Sequence, residues 1–161
     1  MTVAVYAGSF DPITNGHIDI AKRAAAIFDK VIIGIYDRPQ KNLLFTAPER
    51  VELARKSLAN IPNITVEAYS GLTVEFCKKV GARVMVRGLR AIADFEYEFE
   101  IAMMNRKLSP DLELVCFMAN LQYQFLSSSV LKEVTELGGN IESLVPAHVV
   151  KALKEKLGKH A

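Results

Sequence analysis

Several short stretches of this chain carry groups suited to holding phosphate. Gly8 and Ser9 end an apolar run, placing a hydroxyl beside a residue whose missing Cβ lets an anion approach the main chain. Gly16 and His17 fall at the expected start of a helix, where unpaired backbone N–H groups and the helix dipole attract anions. His17 can donate to a phosphoryl oxygen from its neutral or its charged form; as a lone histidine it serves equally well as a helix cap or a surface residue. Arg87 and Arg90 flank Gly88 after another apolar run, and guanidinium groups meet phosphate oxygens through paired hydrogen bonds, with the glycine allowing a tight loop. Ser127, Ser128 and Ser129 form a hydroxyl run in which a helix cap and an anion site can be the same object. Lys41 adds a flexible point charge in the polar stretch DRPQK, a position that taken singly reads as solvated surface.

Other nucleotide and metal chemistries have little support. There is no GxGxxG after the first apolar run and no GxxxxGK[ST] anywhere. Three histidines, one of them in the tail, are too few for a histidine-rich metal centre. Cys77 and Cys116 lie far apart without a CxxC partner, and read as buried free thiols of a reducing compartment. The acidic run DFEYEFE, from Asp94, reads first as compensation of a helix N-terminus.

The elements that must position these groups alternate regularly. Val3 to Tyr6, Val31 to Tyr36, Ile64 to Ala68, Arg83 to Val86 and Leu112 to Met118 are short apolar, β-branched runs that read as buried strands. Between them, Ile18, Ile20, Ala21, Ala24, Ala25 and Phe28 have helical spacing. Thr46 and Glu49 are spaced as a capping box, with Pro48 in the first turn of a helix reaching about Ala59. A helix after Ser70–Gly71 ends near Gly81, a natural C′ residue, and a long amphipathic helix is expected from about Asp94 to Leu108. Ser127–Ser129 caps a helix that Gly138–Gly139 breaks, and Pro146 opens a last one reaching about Leu157.

Strand–helix alternation predicts an α/β fold: one Rossmann-like, doubly wound domain over residues 1–161, with a five-stranded parallel sheet flanked by helices. Ligands of such sheets bind outside the carboxyl ends of the strands, where strand order reverses. GSFDPITNGH, DRPQK, SGLT, RGLR and the segment ending QYQFLSSS each follow a predicted strand, so the polar chemistry converges on one rim.

The totals agree with such a domain. The 161 residues are 50% apolar and 24% charged, and the net charge of +2 is too small to argue for nucleic acid or an anionic membrane as partner. No apolar run approaches the roughly 20 residues that span a bilayer, and MTVAVYAGSFDP lacks the basic lead and apolar core of an export leader, so a cytoplasmic protein is expected.

Thr14 to His17, TNGH, matches the (H/T)xGH signature of the nucleotidyltransferase superfamily, and LSSSVLK, Leu126 to Lys132, looks like its second signature, with Lys132 where arginine is frequent. YAGSFDPITNGHIDI, RGLRAIADFEYE and FLSSS are similar to the phosphopantetheine adenylyltransferases, and the likeness runs over essentially the whole chain. That resemblance implies reversible transfer of AMP from ATP to 4′-phosphopantetheine, giving dephospho-coenzyme A and pyrophosphate, with Mg²⁺. By matching position it implies that Ser9, Phe10, His17, Gly88, Leu89, Arg90, Glu98, Tyr123, Gln124, Phe125, Leu126, Ser127, Ser128 and Ser129 contact ATP. Ser9, Lys41, Thr73 and Arg87 would contact the phosphopantetheine side, with His17, Ser9, Lys41 and Arg87 as the catalytic groups. It further implies a homohexamer, and a site that product or coenzyme A also occupies. Two rivals share these features: a small nucleotidyltransferase with another acceptor, such as nicotinate mononucleotide, and a non-catalytic nucleotide sensor.

Overall fold

Val3 to Tyr6 offer no charged side chain to water, and this run becomes the middle of a five-stranded sheet. The computed structural model describes residues 1–39 and 42–158. Along the chain come β1 (Val3–Gly8), α1 (Asn15–Ala25), β2 (Lys30–Tyr36), α2 (Ala47–Leu58), β3 (Ile64–Tyr69) and α3 (Thr73–Lys79). There follow β4 (Val84–Leu89), α4 (Ile92–Leu108), β5 (Glu113–Met118), a 3₁₀ turn over Leu121–Tyr123, α5 (Ser128–Glu136) and α6 (Ala147–Leu157).

All strand pairs are parallel and the order is β3-β2-β1-β4-β5. The chain winds outward from β1 to β3, then restarts at β4 on the other side of β1. Connections leaving β1 and β4 therefore part, and a crevice opens beyond the carboxyl ends of these two strands. Alternation along β1 serves two cores. Ala4 and Tyr6 join the larger one, with Ile20, Val51, Leu131 and Val149 from α1, α2, α5 and α6; Val3, Val5 and Ala7 join the smaller one, with Val74, Phe76 and Cys77 of α3.

The capping box of Thr46 and Glu49 forms in both directions, and Gly81 sits just past α3 with φ 70°, where a side chain would be strained. Several expectations need correction. Strand β4 does not stop at Val86 but continues through Leu89, because β5 reaches Met118 and pairs with Arg87, Gly88 and Leu89. Arg87 and Gly88 are thus strand residues. A Cβ on Gly88 would lie 3.4 Å from Ile20 Cγ1, so this strand glycine also lies against α1. Helix α1 ends at Ala25, before Phe28.

Helix α4 is not amphipathic: Phe95, Phe99, Met103 and Met104 are exposed, and its one buried residue is Glu98. It lies over β4 and β5, where Asn105 Nδ2 meets Met85 Sδ at 3.7 Å. Of the two thiols, Cys77 is buried, which pushes it up to about 11, whereas Cys116 is exposed on the edge strand β5.

Two buried charges, neither singled out in the sequence, fasten the loops that follow β1 and β2. Arg50 of α2 is wholly buried and donates to four main-chain carbonyls: Phe45 (3.2 Å), Ser9 (2.7 Å), Tyr36 (2.8 Å) and Asp37 (3.2 Å). Asp11, 1% exposed, accepts from the amides of Leu44 and Phe45, both at 2.9 Å, and from Lys132 Nζ at 2.7 Å. Lys132, the departure in the second signature, therefore ties α5 to the loop after β1. Removing a charge from such a cluster leaves several acceptors unpaired in a dry place. Arg50→Met is expected to cost about 3 kcal/mol in urea unfolding, and a loss under about 1 kcal/mol would show that those carbonyls find other partners.

Candidate functional site

The main chain turns sharply after β1. Phe10 adopts φ 47°, a left-handed conformation rare for a side chain of this size, and is held there with 2% exposure by packing edge-on to Tyr6, centroids 5.3 Å apart. Gly8 makes this possible, because a Cβ there would stand 3.1 Å from Phe10 Cε2. The same ring meets His17 edge-on, centroids 5.0 Å apart, and fixes one side of the imidazole.

The other constraint on His17 comes from its own helix. Thr14 is the N-cap of α1, and its Oγ1 accepts from the His17 amide at 3.4 Å. In return the Thr14 amide donates to His17 Nδ1 at 3.0 Å. The two readings of this histidine, cap and phosphate donor, are therefore compatible. Because Nδ1 accepts, the neutral ring carries its proton on Nε2, and the cap sets the tautomer that makes Nε2 a donor.

A cavity of about 380 Å³ opens at the β1–β4 crevice. It brings together Gly8, Ser9, Phe10, His17, Arg87, Gly88, Arg90, Glu98, Tyr123, Leu126, Ser127, Ser128 and Ser129 of the anticipated residues. It is also lined by Thr14 and Gly16 of the TNGH motif, and by Tyr6, Asp94, Tyr97 and Ala119, to which the sequence reading gave no ligand role. Leu89 is buried and outside the lining, as are the exposed Gln124 and Phe125. Thr73 opens α3 and bonds its hydroxyl to Tyr69 Oη at 2.8 Å, away from the lining. Lys41 lies outside the described residues.

Three helix N-termini meet this cavity; that of α4 carries Asp94 in its first turn, whereas those of α1 and α5 carry no acidic residue there. The dipoles of α1 and α5 are left for an external anion. Ser127 Oγ caps α5 by accepting from the Val130 amide at 3.2 Å, and Ser128 Oγ donates to Pro12 O at 2.8 Å, fastening α5 to the loop after β1.

The two arginines come from β4 and the turn after it. Arg87 Nε donates to Glu98 Oε1 and Oε2 at 2.9 and 3.0 Å, Nη2 to Oε1 at 2.8 Å, and Nη1 to Ala7 O at 2.8 Å. Burial works against its charge, but Glu98 prevails and holds the guanidinium more firmly protonated than usual. Arg90 donates through Nη1 to Leu126 O at 3.1 Å and lies 3.6 Å from Asp94. Asp94 also accepts from the amides of Arg90 (2.8 Å) and Ala91 (3.2 Å), the helix-end role expected of it. Burial raises the Tyr6 hydroxyl well above the ordinary phenol, so it stays neutral beneath these cations.

Among the described residues no group of three or more His, Cys, Asp or Glu is placed to hold a metal ion, and no helix is long and apolar enough to cross a membrane. The signal for Asp94 lay in the spacing: two carboxylates one helical turn apart on a helix that starts directly after two arginines.

Comparison with known proteins agrees with this geometry. Residues 5–134 match the cytidylyltransferase-like family. A solved chain from Vibrio parahaemolyticus, provisionally described as a nicotinate-nucleotide adenylyltransferase, superposes with a TM-score of 0.74 at 18% identity, over 100% of this chain and 98% of that one. It shows the fold. A phosphopantetheine adenylyltransferase of Roseiflexus sp. (strain RS-1) is 54% identical over 159 residues, 99% of each chain. One of Thermomicrobium roseum is 53% identical over 156 residues, 95% of this chain and 93% of its own. With a parallel sheet reversing at β1 and β4, and a TxGH loop at the crevice, the chain belongs to the phosphopantetheine adenylyltransferase family of cytidylyltransferase-like proteins.

Proposed function

We propose that the chain transfers the adenylyl group of ATP reversibly to 4′-phosphopantetheine, giving dephospho-coenzyme A and pyrophosphate, in coenzyme A biosynthesis. The observation that carries the reading is the convergence on one cavity of two acid-free helix N-termini, two arginines and a histidine whose cap makes Nε2 a donor. Family membership supports the choice of acceptor.

A phosphate monoester is already nucleophilic at neutral pH, so the reaction needs neither a general base nor a covalent intermediate. It needs in-line placement and relief of charge on the α-phosphoryl group. His17 Nε2 and the Ser9 hydroxyl donate to α-phosphoryl oxygens as they gain charge. The N-terminus of α5, with Ser128, Ser129 and Arg90, holds the departing pyrophosphate. Arg87, with Lys41, holds the attacking phosphate in line. Of the five guanidinium N–H donors of Arg87, those to Glu98 and Ala7 leave one on each terminal nitrogen for a phosphate.

Mg²⁺ is part of the proposal, but the cavity does not fit a protein-held ion: its two carboxylates already serve Arg87, Arg90 and Ala91. The ion would ride on the nucleotide's own phosphate oxygens. A homohexamer is proposed on the exposed apolar residues of α4, together with Met118 and Phe125, which a neighbouring copy would cover. A cytoplasmic location agrees with the exposed free thiol of Cys116. Static light scattering reads the assembly directly; a monomer at micromolar concentration would rule the hexamer out.

His17→Ala is expected to lower turnover at least ~10²-fold while ATP binding changes little, because the donor acts on developing charge. A tenfold loss or less would remove His17 from that role. Lys41→Ala is expected to raise the Michaelis constant for the phosphate acceptor; an effect confined to ATP would reverse the division between the two substrates. Assaying pyrophosphate release with phosphopantetheine and with nicotinate mononucleotide separates the two enzyme readings, and nucleotide binding without pyrophosphate exchange would mark a sensor.

A further inference from the structure

The two arginines of the cavity are held by a single helix. Asp94 and Glu98 stand four residues apart near the start of α4, so both point from one face. Glu98 takes Arg87 through three N–H···O contacts of 2.8 to 3.0 Å, and Asp94 lies 3.6 Å from Arg90 Nε while accepting its amide at 2.8 Å. Among the described residues lining the cavity these are, besides His17, all the acidic and basic side chains, two of each sign.

Glu98 stands out for a second reason. It is the one buried residue of α4, a helix whose apolar side chains are largely exposed. A carboxylate buried to 5% exposure is stable only with its partner in place. Both its oxygens face Arg87 at hydrogen-bond distance, so most of its acceptor capacity is committed to that guanidinium.

We propose that Asp94 and Glu98 form a two-carboxylate rack in which each acid positions one arginine: Glu98 sets Arg87 for the acceptor phosphate, and Asp94 sets Arg90 for the triphosphate. Glu98 is thus a positioning residue for the acceptor side. A bidentate partner fixes the plane of the Arg87 guanidinium, so that its remaining N–H groups face the crevice in one orientation. Without it, Arg87 keeps its charge and loses its direction. Asp94 fixes the turn carrying Arg90 through main-chain amides, a looser hold that suits a longer, more flexible phosphate chain.

The proposal rests on the adenylyl-transfer reading for its assignment of substrates, and the test separates the two. Steady-state kinetics would vary ATP and phosphopantetheine in turn for the wild type, Glu98→Gln, Asp94→Asn, and Glu98→Gln in an Arg87→Gln background, with thermal melts as the folding control. Glu98→Gln is expected to raise the Michaelis constant for phosphopantetheine about 10- to 100-fold and that for ATP less than about threefold, the scale of a charge-assisted hydrogen bond. Asp94→Asn should show the opposite split. In the Arg87→Gln background Glu98→Gln should cost nothing further, since it acts through that arginine. Equal effects on both substrates, or an undiminished loss in the Arg87→Gln background, would overturn the rack. If Glu98→Gln does not fold, Glu98→Asp, which keeps the charge and shortens the reach, carries the same comparison. A wild type inactive on this substrate pair would instead count against adenylyl transfer. A crystal structure of Glu98→Gln would then decide the rack alone: Arg87 displaced supports it, Arg87 unmoved refutes it.

Discussion

Strand order reverses between β1 and β4, and every functional feature of the molecule follows from that. Two parallel neighbours whose connections run in opposite directions cannot close the space beyond their carboxyl ends. The crevice is therefore lined by whatever residues end these strands and open the next elements. In this chain those are Gly8 to His17 on one side and Arg87 to Glu98 on the other, with the start of α5 closing the third side. Main-chain amides, hydroxyls and guanidiniums all face inward without any side chain having to cross the sheet.

What the crevice needs beyond donors is order, and much of the chain's buried polarity supplies it. Arg50 gathers the loops after β1 and β2 through four carbonyls, and Asp11 joins the same two loops to α5 through Lys132. None of these three charged side chains lines the cavity itself. They hold Ser9, Pro12 and Ser128 in place, and so carry rigidity from the core to the phosphate donors. Thr14 does the same for one ring nitrogen: a helix cap, an ordinary device of folding, fixes a tautomer that bears on chemistry.

How much of this was legible in the sequence depended on the range of the interaction concerned. Local signals read well: the Thr46–Glu49 capping box, Gly81 past α3, Pro146 before α6, and the strand–helix alternation that gave the sheet its parallel sense. The convergence of Gly8, His17, Arg87, Arg90 and the serines on one rim followed from strand ends alone. Long-range contacts did not read. Nothing near Arg50 marks it as buried, since its partners are carbonyls up to 41 residues away, which have no sequence identity. Strand β4 ran past its expected end because its length is set by β5, and α4 broke its expected amphipathic pattern, with most of its large apolar residues left exposed. Gly88, expected in a loop, is a strand residue that lies against Ile20 and still lines the crevice.

The most direct test of a shared crevice for both phosphates is a crystal structure with an ATP analogue carrying a methylene bridge between the α- and β-phosphorus atoms, together with phosphopantetheine. The α-phosphoryl oxygens should lie within hydrogen-bond distance of His17 Nε2, with the acceptor phosphate against Arg87 on the far side of the α-phosphorus from the pyrophosphate. A triphosphate bound elsewhere on the sheet, or an imidazole turned toward solvent in the occupied site, would contradict the account.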